Sequence, residues 1–97
     1  MGSGTNRSSG LKTADALIVT GKAIVAGVQI ITDGTNDATV VLHDALTATG
    51  TAVFKATVTG TDDTIHFNTP DGGVSCDIGL YADITTAGTM GYIVIYR

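Results

Sequence analysis

The chain has 97 residues, and charged side chains make up only 14% of them, against about 25% in an average soluble domain. That length suits one small domain. The formal net charge is −4, and the five basic residues are too scattered to track phosphates, which argues against nucleic acid as a partner.

Valine, isoleucine and threonine are frequent and leucine is scarce. β-Branched residues lose rotamer freedom in a helix and pack well on a pleated sheet. Thirteen glycines and many Thr-Gly and Asp-Gly pairs supply turns. The composition is all-β. In chain order, "MGSGTNRSSGLK" opens the sequence, polar and rich in Gly and Ser. It reads as a flexible N-terminal arm over 1–13, either a floppy tail or a segment that orders on a neighbouring subunit. It has no apolar core of the kind a secretory signal needs. No apolar run approaches the roughly 20 residues that span a bilayer, so no membrane partner is expected.

From residue 14 to 97, short apolar runs alternate with turn signals, as in a β-sandwich domain. Strands are expected near 15–20, 22–31, 38–43, 51–59, 63–68, 73–76, 78–84 and 90–96, about eight in all. Ala14, Leu17 and Ile18 also share a helical face, but the β-branched pair and Thr20-Gly21 that follow favour a strand. In "TAVFKATVT", Ala52, Phe54, Ala56 and Val58 alternate with Thr51, Lys55, Thr57 and Thr59, and Val53 breaks the pattern. Ile65 and Phe67 are expected to face inward. Ile78, Leu80, Ala82 and Ile84 form a second expected core row, with Gly79 marking a bulge or a close backbone approach. The last strand is apolar on both faces, with Ile93 and Ile95 on one and Tyr92, Val94 and Tyr96 on the other. Such a strand is covered twice within the fold or contacts another subunit.

Residues with reactive side chains form no recognised motif. The lone Cys76 excludes an intrachain disulfide and reads as a small buried hydrophobe. A zinc site from Cys76, His43 and His66 would need three strands to converge without paired ligand spacing. Asp33, Asn36, Asp37, Asp62, Asp63 and Asp71 lie in loops, but the chain has no glutamate and no EF-hand spacing, so Asx turns explain them. The absence of tryptophan leaves little to stack on a sugar. No catalytic residue, metal ligand or cofactor is expected, and the protein is not expected to be an enzyme.

The C-terminal half, "TIHFNTPDGGVSCDIGLYADITTAGTMGYIVIYR", resembles small β-sandwich virion proteins of tailed bacteriophages. The likeness runs through Ile65–Phe67, Gly79–Thr85, Gly88-Thr89 and Ile93–Arg97, and upstream through Thr39, Val41, Asp44, Gly50 and Thr51. It covers residues 16–97 and departs at Cys76-Asp77 and in the "TPDGG" loop. The resemblance implies a single antiparallel, jelly-roll-like sandwich and a non-enzymatic role on a phage particle. The expected role is capsid decoration (cement). The partners would then be the major capsid protein or other virion proteins and further copies of the chain, with a trimer favoured. The location would be the capsid surface of the virion, after synthesis in the host bacterial cytoplasm. Neck, tail or fibre positions are alternatives, as is a carbohydrate- or calcium-binding module. Tyr92, Val94 and Tyr96 are the expected self-association patch, and Thr5, Arg7, Leu11 and Lys12 the part of the arm expected to strap a neighbour.

Overall fold

The structure, a computed structural model, describes residues 6–70 and 72–97. Nine strands follow in order: β1 (Arg7–Ser8), β2 (Ala16–Thr20), β3 (Ala23–Thr32), β4 (Ala38–Asp44), β5 (Thr51–Val58), β6 (Thr64–Asn68), β7 (Val74–Cys76), β8 (Gly79–Thr86) and β9 (Met90–Tyr96). The first segment is a strand, not a helix. Sheet A runs β1-β9-β3-β6, with β7 also paired to β3, and sheet B runs β2-β8-β4-β5. Every ladder is antiparallel.

The pairing is nested. β4 pairs with β5, β3 with β6 and β7, β2 with β8, and β1 with β9. The chain is thus one long hairpin with its tip between β4 and β5, rolled so that β9 also meets β3 and β8 also meets β4. This is a jelly roll. β6 lies along Gly27–Ile31 and β7 along Ala23–Val25, so the two are halves of one strand interrupted by the loop at 69–73. The eight expected strands correspond to β2–β9, and β1 is an addition to them. One expectation changes: β1 belongs to sheet A, so the stretch expected to be a free arm contributes the first strand of the roll.

Alternation places one row of each strand between the sheets. Val25, Val28 and Ile30 of β3 and Tyr92 and Val94 of β9 meet Val40 and Leu42 of β4, Ala56 and Val58 of β5, and Leu80 and Ala82 of β8. Each buried Val, Leu or Ile contributes roughly 1.5–3 kcal/mol relative to exposure. Bulges set the phase. Val25 and Val28 sit three apart, yet both point inward, because the register shifts between Val25 and Gly27 and leaves Ala26 unopposed. The exception at Val53 has the same origin. Leu42 opposes Phe54 and His43 opposes Ala52, so Val53 is the extra residue, and both Val53 and Phe54 pack against the core. Phe54 and Phe67 close one open side of the sandwich edge-to-face, with centroids 6.4 Å apart.

The expected core row in β8 holds for Leu80, Ala82 and Ile84 and fails for Ile78, which is 59% exposed. The physical reason lies in the Asp44 carboxylate. Asp44 Oδ1 accepts the amides of Asp77, Ile78 and Gly79 at 3.0, 2.8 and 3.4 Å, which bends residues 77–78 into a turn before the strand begins. At Gly79 a Cβ would come within 2.8 Å of the Ala45 carbonyl oxygen and 3.1 Å of that of Val19. The glycine marks a close backbone approach.

Leu80→Ala should lower the unfolding free energy by about 2–5 kcal/mol, and Ile78→Ala should change it by less than about 0.5 kcal/mol. Urea denaturation of the two variants checks which side of the turn belongs to the core.

Candidate assembly surface

β9 decides which surface the protein offers. Tyr92 and Val94 are fully buried between the sheets, so they are core and not the expected self-association patch. Tyr96 is half-buried and packs against the same core. Alternation allowed either face to turn inward, and a buried tyrosine needs a partner for its hydroxyl. Tyr92 has one: its hydroxyl donates to the Ala14 carbonyl at 2.7 Å, at the rim of the sandwich. Burial pushes the phenol up to about 12, with Asp15 adding to the shift.

The opposite row of β9 therefore faces out. Ile93 and Ile95 lie on the outer face of sheet A beside Gln29 and Gly27 of β3, their register partners. Ile31 stands opposite Gly91, and Ile24 lies further along the same outer row of β3. All four isoleucines are partly exposed, and none joins the packed core. Leu11 extends the patch: its Cδ1 and that of Ile31 both reach the space a Cβ on Gly91 would occupy. Leu11 is 62% exposed. In chemistry, the row is mostly branched aliphatic, with Gln29 between Ile31 and Gly27, His66 on the adjacent strand and Arg97 beside Ile24. The two-sided apolar pattern of β9 was the visible signal for it, and the identity of the outward row was not.

Of the other interface candidates, Arg7 is exposed on β1 opposite Tyr96, and Lys12 bridges to Tyr92. Thr5 lies outside the described residues. The arm thus runs along its own β9, and its start is tied down by Arg97, whose guanidinium donates to Asn6 Oδ1 at 3.3 Å and to the Gly72 carbonyl at 3.2 Å.

The acidic loops are built as turns. Asp33 Oδ1 accepts the amides of Thr35 and Asn36, and Oδ2 accepts the Asn36 side chain and the Thr89 amide. Those bonds, the Asn36 side chain first, hold its carboxyl well below the usual range. Asp37 Oδ1 accepts the Gly60 amide at 2.9 Å, and Asp15 Oδ1 accepts that of Ile84 at 2.8 Å. These oxygens face N–H donors that a cation would have to displace. Asp71 lies outside the described residues.

Cys76, His43 and His66 do not converge. Cys76 points into the core from β7, and burial pushes its thiol up, away from thiolate chemistry. His66 stands on the outer face of sheet A, with Nε2 3.2 Å from Asn68 Oδ1. His43 belongs to sheet B. Its Nδ1 faces the Gly50 carbonyl at 2.9 Å and so carries the proton, which pins the end of the loop between β4 and β5. Its Nε2 is buried without a hydrogen-bond partner, and Asp83 Oδ2 is 3.7 Å away, beyond hydrogen-bond range.

The Asp44 carboxyl is also lowered, by the Ile78 amide first and then that of Asp77. A carboxyl depressed in the folded state stabilises the fold fully above its unfolded value, near 4, and loses that contribution as pH falls further. Melting temperature should therefore drop as pH falls below about 4, and Asp44→Asn should flatten that drop in a pH series of thermal melts. Comparison of the chain with protein-family models, curated proteins and solved structures finds no match.

Proposed function

We propose that this chain is a non-enzymatic structural protein of a bacteriophage particle, and that it decorates the capsid as a small closed oligomer. One observation carries the reading: the outer face of sheet A presents Ile24, Ile31, Ile93 and Ile95, with Leu11 at its border, and no element of the described chain packs over them. A contiguous apolar face of this kind marks a contact surface on a small protein. Beneath it β3 pairs with β9 along the whole strand. The aliphatic side chains, interspersed with Gln29 and bordered by His66 and Arg97, suit a second sheet face of the same make-up. Copies related by rotation would bury it from both sides, as closed oligomers do.

Decoration then follows from mass action. A ring that contacts several shell subunits at once binds only the assembled shell, and whatever binds only one state stabilises that state. The sequence resemblance to small phage virion sandwiches supplies the context, and the aliphatic face supplies the chemistry. The bonded carboxylates of Asp33 and Asp37 weigh against a calcium-binding module.

Native mass spectrometry of the purified protein should show a closed oligomer. Ile93→Ser combined with Ile31→Ser should give monomers that remain folded, because both side chains lie outside the core. A wild-type chain that stays monomeric at tens of micromolar, like the double variant, would overturn the assignment of this face.

A further inference from the structure

β9 has sheet partners on both sides, and the two partners differ in kind. β3 holds it along its whole length. On the other side, among the described residues, lie only 7–12. There the Ser9 amide donates to the Val94 carbonyl, and the Val94 amide donates to Ser9 Oγ, both at 2.9 Å. Lys12 and Tyr92 exchange two amide–carbonyl bonds, also at 2.9 Å. Arg7 stands opposite Tyr96 and Ser8 opposite Ile95. The arm is held by main chain, the Ser9 hydroxyl and the Arg97–Asn6 side-chain bond, while the side chains of Arg7, Ser8 and Leu11 remain exposed. A segment that buries so little opens at low cost.

The arm's tether is short and peripheral. Thr13–Asp15 carry the chain from the edge of sheet A to β2, at the edge of sheet B. All three residues are exposed. They border an open depression of about 740 Å³ shared with Ile84, Thr86, Gly88, Thr89 and Met90. The crossover can therefore move without displacing core. Its latches are the Tyr92 hydroxyl on Ala14 and the Asp15 carboxylate on Ile84. Once the arm leaves, β9 is an open edge with apolar residues on both faces, a ready template for another strand.

The geometry points to a strand-acceptor site along β9 for residues 6–12 of a second copy of this chain, so that neighbouring copies exchange arms. The acceptor is specific for this segment. It requires a hydroxyl facing the Val94 amide, a residue with φ of 72° next to it, supplied by Gly10, and a branched apolar side chain seated over Gly91, supplied by Leu11. Exchange keeps every one of these bonds and re-routes only the tether. Residues 6–15 extend to at most about 33–36 Å. With residues 6–12 laid on the acceptor, only Thr13–Asp15 span the gap, about 10–11 Å at most, so exchange requires the β9 edge of the second copy to abut the crossover. In a free monomer the three-residue tether keeps the arm's effective concentration high, and the arm pairs with its own β9. Inside an assembly the neighbouring edge competes at equal bonding. The inference uses the self-association proposed above only to bring copies together.

The test mixes two single variants, Ser8→Cys and Ile95→Cys, at high concentration, follows with mild oxidation, and measures the yield of the mixed disulfide dimer. Each chain carries one introduced thiol, and Cys76 is buried, so this link forms only when the arm of one copy lies on β9 of another. The control pairs Ser8→Cys with Thr57→Cys, an exposed position on sheet B. Arm exchange predicts a yield at least several-fold above the control. A yield equal to the control overturns it. As an independent readout, a second variant deletes Thr13 and Ala14, leaving a tether too short for the arm to return to its own β9. Its native mass should shift towards dimers or rings, and an unchanged monomer fraction overturns the proposal. The two readings separate cleanly. Oligomers without the mixed disulfide sink arm exchange and leave the aliphatic face standing. The mixed disulfide in chains that also carry Ile31→Ser and Ile93→Ser sustains exchange and removes the face.

Discussion

The antiparallel ladder between β3 and β9 is the constraint on which the rest of this structure depends. It sets Val28 opposite Val94 and Ile30 opposite Tyr92, and so joins the first third of the chain to its last seven residues. Everything else is arranged around it. β6 and β7 extend sheet A on one side of β3, β1 closes the other side of β9, and the inward row of both strands forms one wall of the core. Because the pairing is so distant in sequence, the cost of closing the chain must be met before the ladder stabilises anything. A nested hairpin eases that cost. Once β4 and β5 have paired at the tip, each outer pair closes a shorter effective loop than its sequence separation implies.

With few charges available, the fold uses carboxylates as structural pins. Asp33 gathers a loop and the amide of Thr89, Asp37 ties its loop to Gly60, Asp44 organises the turn before β8, and Asp15 fixes the crossover to Ile84. Each carboxylate takes up amides that the strand ends would otherwise leave unpaired, which is the requirement any buried or half-buried backbone must meet. These loops make tight turns for the same reason that they offer little to a metal ion. The reactive side chains are likewise absorbed into the frame. Cys76 is packing material, and His43 holds the end of a loop through Nδ1.

Partly exposed isoleucines gather on the outer face of sheet A, while Leu17, Leu46 and Ile78 are exposed elsewhere. A small sandwich has enough apolar residues to fill one interior, and β9 carries apolar side chains on both of its faces. The inward row is satisfied by the opposing sheet. The outward row is left partly exposed, and the arm lies along its border.

The sequence by itself determined the class and most of the elements. Period-two alternation in 51–59, 63–68 and 78–84, with Gly and Asp at the breaks, is a local property, and the strands lie within two residues of where that pattern puts them. The close approach at Gly79 was also legible, because a glycine inside an apolar strand has few other uses. Three things were decided only by the tertiary structure. The phase across β3 and β5 depends on bulges, which exist only relative to a partner strand. The burial of Tyr92 and Val94 in place of Ile93 and Ile95 depends on which face of β9 meets the opposing sheet, and on the Ala14 carbonyl that receives the Tyr92 hydroxyl. The incorporation of residues 7–12 into sheet A rests on main-chain hydrogen bonds and the Ser9 hydroxyl, which no period-two pattern announces.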